Sequence, residues 1–191
     1  MESKLKLYMV ILGATPKGRL TEQHDVFFGV GYSLAELVPQ MKAFWPEANG
    51  RIHIDSWREV TFVDGYQIEV VPKQNEAEDR NLFFINLGGY KPGELEEYHY
   101  KLIAVAETMA AAVKQSKATS FYKHYGFKGA ESHIDDKFGI DVDDVYKVGD
   151  ILNEATQQQY TLQISKPETA LEDELHIGYL RIEKLQKSIS Q

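Results

Sequence analysis

The chain contains one of its own segments twice, and that repetition limits the folds open to it more than any other feature. Residues 7–43, moved seventy-five places along the chain, lie without a gap on residues 82–118. Leu7, Leu12, Gly13, Gly18, Leu20, Glu22 and His24 fall on Leu82, Leu87, Gly88, Gly93, Leu95, Glu97 and His99. Identities number 13 in 37 positions, and most other pairs exchange like for like, as Tyr8 does with Phe83 and Val10 with Ile85. A long internal repeat means that one supersecondary unit was duplicated, so a single unit's pattern predicts the architecture of both.

Read in order, the first copy begins with an apolar run over 5–13, short enough for a buried strand. A loop with Pro16 and Gly18 follows, and then an alternating strand from Leu20 to Val30. Ser33 and Glu36 form a capping-box pattern ahead of a helix that extends to Phe44. Pro39 either kinks that helix or opens its main part. Strands at 51–55 and 61–71 complete the copy, the second broken by a turn at Asp64-Gly65. The second copy repeats the order with strands 82–88 and 96–105 and a helix over 108–122. There the triplet His133-Ile134-Asp135 is set against His53-Ile54-Asp55, and the strand at 160–164 against that at 66–70. Residues 136–159 then read as an acidic insertion.

The expectation is an α+β protein of two tandem β-β-α-β-β repeats packed as a pseudo-dimer, with an extra C-terminal strand at 175–185 closing a sheet edge. The lobes are expected at 1–72 and 82–170, joined by a charged connector at 73–81 and followed by a tail at 171–191. The groove between two such lobes is the default ligand site.

The LG-x4-G-x-L-x-E-x-H pattern, present at Leu12–His24 and Leu87–His99, and the two His-Ile-Asp triplets are similar to an uncharacterised bacterial family, domain-of-unknown-function family 1543. Its members carry one or two copies of this unit. The resemblance covers roughly residues 5–150 and is most specific from Gly13 to Trp45. It implies a bacterial cytoplasmic protein and brings no activity, substrate or catalytic residue.

Composition narrows the function classes. A net charge of −8 with no run of Lys or Arg opposes phosphate-backbone binding, so nucleic acid is not an expected partner. Without cysteine there is neither a thiolate metal site nor a cysteine nucleophile, and a reducing cytoplasm is compatible. Lys4 and Lys6 ahead of residues 7–14 imitate a signal peptide, but the same pattern recurs at 82–89, which marks a strand of the fold. No apolar run reaches the roughly 20 residues of a membrane helix.

The candidate site residues come in pairs two apart: Glu22/His24 and His53/Asp55 in the first copy, Glu97/His99 and His133/Asp135 in the second. At strand spacing each pair points to one side. If the strands approach, each copy offers two imidazoles and two carboxylates, the donors of a zinc, iron or manganese site and also of an acid/base pair. The structural alternative has each histidine donating to a carboxylate or a carbonyl and fixing the strand ends. Three other motifs fail. Gly13–Leu20 has P-loop glycine spacing but lacks the Lys and Ser/Thr after Gly18, so its glycines are assigned to a tight turn. Asp141–Leu152 lacks the Gly and Glu of an EF-hand loop, and no Gly-x-Ser-x-Gly elbow exists.

The favoured reading is a non-enzymatic module that binds a small molecule or protein. The alternatives are a metal-dependent or acid/base enzyme on the histidine–carboxylate pairs, and a structural subunit of an assembly, a homo-oligomer included. No cofactor is predicted; a divalent metal belongs to the enzyme alternative.

Overall fold

A computed structural model describes residues 4–73, 79–90, 93–118, 140–167, 169 and 172–189. The chain is α+β, with ten strands and short helices among the described residues, and divides into two compact units, residues 1–75 with 152–191 and residues 76–151.

The first unit is built on a four-stranded sheet of order β10-β3-β1-β2, every neighbouring pair antiparallel: β1 (Lys6–Ala14), β2 (Gln23–Gly31), β3 (His53–Glu59) and β10 (His176–Arg181). The hairpin β4 (Phe62–Val63) and β5 (Tyr66–Pro72) turns at Asp64 (φ 52°) and Gly65 (φ 82°). That is the left-handed Asp-Gly pair which tight hairpins require. β9 (Tyr160–Ser165) joins β5 with Val70 opposite Leu162.

Strand 160–164 therefore pairs with 66–70 instead of standing as its counterpart in a second lobe. Residues 152–170, expected with that lobe, pack on the first unit. The C-terminal strand does close an edge, that of β3. It is shorter than expected, because the chain turns at Arg181 into α5 (Ile182–Ile189), whose Ile182 is fully buried.

Pro39 opens the main helix. A 3-10 turn at Leu34–Leu37 comes first, then α1 (Val38–Phe44) with the proline in its first turn, where the missing N–H costs nothing. The capping box does not form: the Ser33 side chain caps nothing, and Glu36 Oε2 accepts from the Tyr32 N–H at 3.0 Å, one residue ahead of the N-cap. These helices cover one sheet face and enclose Val10, Leu12, Phe27, Leu37, Met41 and Ile54.

Tyr8 lies in the same core, 2% exposed, with its ring 6.1 Å from Trp57. Its hydroxyl donates to Glu59 Oε1 at 3.4 Å. Burial, and then the Glu59 charge, push the phenol up to about 12. A raised folded pKa stabilises below the unfolded value of 10 and is lost as pH rises through 12. Two units correspond to about 2.7 kcal/mol. In an ultraviolet difference titration Tyr8 should ionise late, and Tyr8→Phe should remove that part of the alkaline loss of stability. An unchanged alkaline unfolding curve would refute it.

The second unit holds a three-stranded antiparallel sheet of order β7-β6-β8: β6 (Asn81–Tyr90), β7 (Glu97–Ala106) and β8 (Ile140–Lys147). α2 (Met109–Ser116) is capped by Thr108, whose side chain accepts from the Ala111 N–H at 3.2 Å, and it ends well before residue 122. Two short helices follow, α3 (Val148–Ile151) here and α4 (Glu154–Gln159) in the first unit. The core of this unit gathers Phe83, Ile85, Leu87, Ala104, Ala106 and Ala112. Residues 140–147, read as part of an insertion, are a strand of this sheet. Val142 and Val145 pack against the core, and this apolar anchoring outweighs the acidic composition.

Candidate functional site

Register across the first sheet assembles the site. Gly13 on β1 lies directly opposite His24 on β2 and opposite His53 on β3, and Arg181 on β10 lies opposite His53. Residues paired across antiparallel strands share a face, so His24, Gly13, His53 and Arg181 form one row. Asp55, two residues along β3, and Glu22, two before His24, join that face.

Gly13 makes the approach possible. A Cβ there would stand 2.3 Å from His53 Nε2 and 2.7 Å from Asp55 Oδ2, so both side chains lean over the glycine toward β2. Its role is close approach inside a strand, not the tight turn expected. The turn falls to Gly18 (φ 85°). β2 begins only at Gln23, leaving Leu20 fully exposed in the loop.

Glu22, His24, His53 and Asp55 meet. His53 Nε2 is 3.2 Å from Glu22 Oε1 and 3.2 Å from Asp55 Oδ1. His24 Nε2 is 3.3 Å from Asp55 Oδ2 and 3.7 Å from Glu22 Oε2. Imidazole and carboxylate thus alternate round a four-membered ring. His53 is buried, whereas the Glu22 and His24 side chains are 46% and 42% exposed, so the ring has a wet side and a dry one. Despite these short separations, His53 Nε2 and Asp55 Oδ2 are buried with no hydrogen-bond partner. The structural alternative, histidines donating to carboxylates, leaves these two atoms unexplained. As placed, no three His, Asp or Glu side chains among the described residues close on one ion position.

In the second unit Glu97 lies opposite Tyr90 and His99 opposite Gly88, with His99 Nδ1 3.3 Å from Asn86 Nδ2. His133 and Asp135 lie outside the described residues. The residue opposite Gly88 on the far side is Asp141 of β8, the place that His53 holds relative to Gly13. Setting His133-Ile134-Asp135 against His53-Ile54-Asp55 is therefore not what the register supports; 141–143 occupy that place.

A cavity of about 520 Å³ adjoins His53, lined also by Arg51, Ile52, Tyr179, Arg181, Glu183 and Lys184. The Tyr179 ring lies 4.5 Å from that of His53, tilted 37°. None of these residues except His53 was singled out from sequence, because scattered single charges carry no local pattern.

Residues 19–70 match the family model described as Domain of Unknown Function (DUF1543), and over that segment, which holds all four ring residues, the chain resembles this family. One similar solved structure is the crystal structure of a protein Il1583 from Idiomarina loihiensis. It shares 25% identity with a TM-score of 0.56, covering 93% of this chain and 97% of that one. No curated protein matches the chain. Among the described residues no helix is long and apolar enough to cross a membrane.

Proposed function

We propose that the protein binds a divalent transition-metal ion through Glu22, His24, His53 and Asp55, and that this ion is the centre of its activity. The observation that carries the reading is that two buried atoms, His53 Nε2 and Asp55 Oδ2, make no hydrogen bond although each lies within 3.3 Å of a group of opposite kind. A hydrogen bond aims one group at the other, whereas metal ligands aim their lone pairs at a third point. His53 Nε2 lies 3.2 Å from one oxygen of each carboxylate, and His24 Nε2 lies 3.3 Å and 3.7 Å from the other oxygen of each, so both imidazoles stand close to both acids. Two imidazoles with two carboxylates suit zinc, iron or manganese better than calcium or magnesium. A cation also relieves the repulsion between two carboxylates that face one cleft. These observations favour the metal reading over the binding module that sequence alone favours.

The duplication supports reading the second unit as a diverged copy. The β1–β3 ladder shifts register between Ile11 and Leu12, and the β6–β8 ladder between Asn86 and Leu87, seventy-five residues on. In that copy Asp141 of β8 stands opposite Gly88, where β3 sets His53 opposite Gly13. The family resemblance and the absence of cysteine fit a bacterial cytoplasmic setting.

The test uses untagged protein stripped with a chelator and titrated with Co²⁺ or Zn²⁺. About one ion per chain is expected at this ring, with visible cobalt bands of a low-coordinate site. At a hundredfold excess over Kd the melting temperature should rise by roughly 5–10 °C. Both effects should vanish in His53→Ala and Asp55→Asn. Neither band nor shift in the wild type would overturn the proposal.

A further inference from the structure

The cavity beside His53 is cationic in a protein whose formal charge is −8. Arg51, Arg181 and Lys184 line it against Glu183 alone, leaving two positive charges uncompensated. Among the described residues no ion pair or side-chain hydrogen bond engages these three cations. By contrast, Lys6 and Arg58 are each paired with a carboxylate. Unpaired cations gathered round one concavity repel each other, and an anion that fills it removes that cost. Arg181 shares the sheet row of Gly13 and His53, so such an anion would sit next to the ring, with His53 as the common wall. Arginine forks match phosphate oxygens two at a time, and lysine adds a point charge. The volume suits a small metabolite, and the Tyr179 ring, tilted 37° against that of His53, offers an apolar wall for its body.

We infer that this cavity binds a small phosphate monoester, whose dianionic head meets Arg51, Arg181 and Lys184 and whose body reaches the Glu22–His24–His53–Asp55 ring. The inference rests on the metal reading for what happens to the ligand, and on the cavity alone for its binding.

Inorganic phosphate is the probe, titrated calorimetrically into the full chain with and without Zn²⁺, with acetate as the monoanionic comparison. Saturable phosphate binding in the cavity is expected, weakened at least about tenfold in Arg181→Gln and again in Arg51→Gln. Acetate should bind far more weakly, and cobalt binding should be retained in both variants. Lys184→Gln, on the exposed face of α5, serves if Arg181→Gln fails to fold. Phosphate that binds equally well to all three variants, or not at all to the wild type, overturns the inference. Metal binding without phosphate binding would leave the metal site standing and remove the pocket. Phosphate binding without metal would do the reverse.

Discussion

Gly13→Ala should leave a folded protein that no longer binds cobalt at the proposed ring. The added methyl would sit 2.3 Å from His53 Nε2, 2.7 Å from Asp55 Oδ2 and 2.8 Å from His53 Cε1, and real Cβ contacts are not so short. The backbone is not at issue, because Gly13 is not among the residues of positive φ. Alanine even removes about 0.5–1 kcal/mol of glycine's entropic cost. Crowding in a packed site costs about 1–3 kcal/mol, so the metal-free protein should lose roughly 1–2 kcal/mol. The effect on the ring is larger. The His53 ring is buried against Tyr179 and yields only by leaving its place, which should cost at least about a hundredfold in cobalt affinity. Gly29→Ala is the comparison. Its methyl would meet the Phe27 ring at 2.7 Å and Leu37 Cδ1 at 3.2 Å, in the core and away from the ring. That variant should lose stability and keep its cobalt spectrum. Wild-type cobalt affinity in Gly13→Ala would sink the site as described.

The contrast between these glycines shows what was legible in the chain. Features written in one short stretch are readable: the Asp64-Gly65 turn, and a proline that either kinks a helix or opens it; the alternation read along β2 does not appear in its burial, since Val26 to Gly31 are all buried. The Glu-x-His and His-x-Asp spacings, just as local, were readable as same-side pairs. Their convergence was not, because it depends on sheet order. β2 and β3 flank β1, and only a residue without a side chain at Gly13 lets His53 reach across. β8 was concealed by composition: Asp141, Asp143 and Asp144 read as solvated loop, while Val142 and Val145 tie the strand to its core. Strand 160–164 was misplaced because a sequence that resembles its pairing partner looks like a repeat of it. The cavity's cations come from two distant segments, Arg51 ahead of β3 and Arg181 at the end of β10 with Lys184 just beyond it, and only β10 beside β3 unites them.

Asp173→Ala should be the most destabilising single change in the first unit and should weaken phosphate binding at a distance. The Asp173 carboxylate, 2% exposed, accepts from Arg58 Nε at 3.1 Å and Nη2 at 2.5 Å, and from Thr61 Oγ1 at 2.5 Å. It also accepts the backbone N–H groups of Thr61 and Phe62, each at 3.1 Å. Removing it leaves the Thr61 and Phe62 amides without their acceptor and the Arg58 guanidinium with the Phe62 carbonyl, at 3.0 Å, but without its counter-charge. Breaking a buried pair from one side costs about 3–5 kcal/mol, a loss of roughly 10–20 °C in melting temperature. Arg58→Met combined with Asp173→Leu should cost less than Asp173→Ala, because no charge is then stranded. The same carboxylate fastens the segment that continues into β10 and α5, and with it Tyr179, Arg181 and Lys184. The ring donors lie on β3, on β2 and just ahead of it, held by β1. Loosening residues 172–189 should therefore reduce phosphate affinity and amide-exchange protection in β10 while cobalt still binds. Equal losses of both ligands would mean that the sheet yields as one body, and that β10 is no separable wall of the pocket.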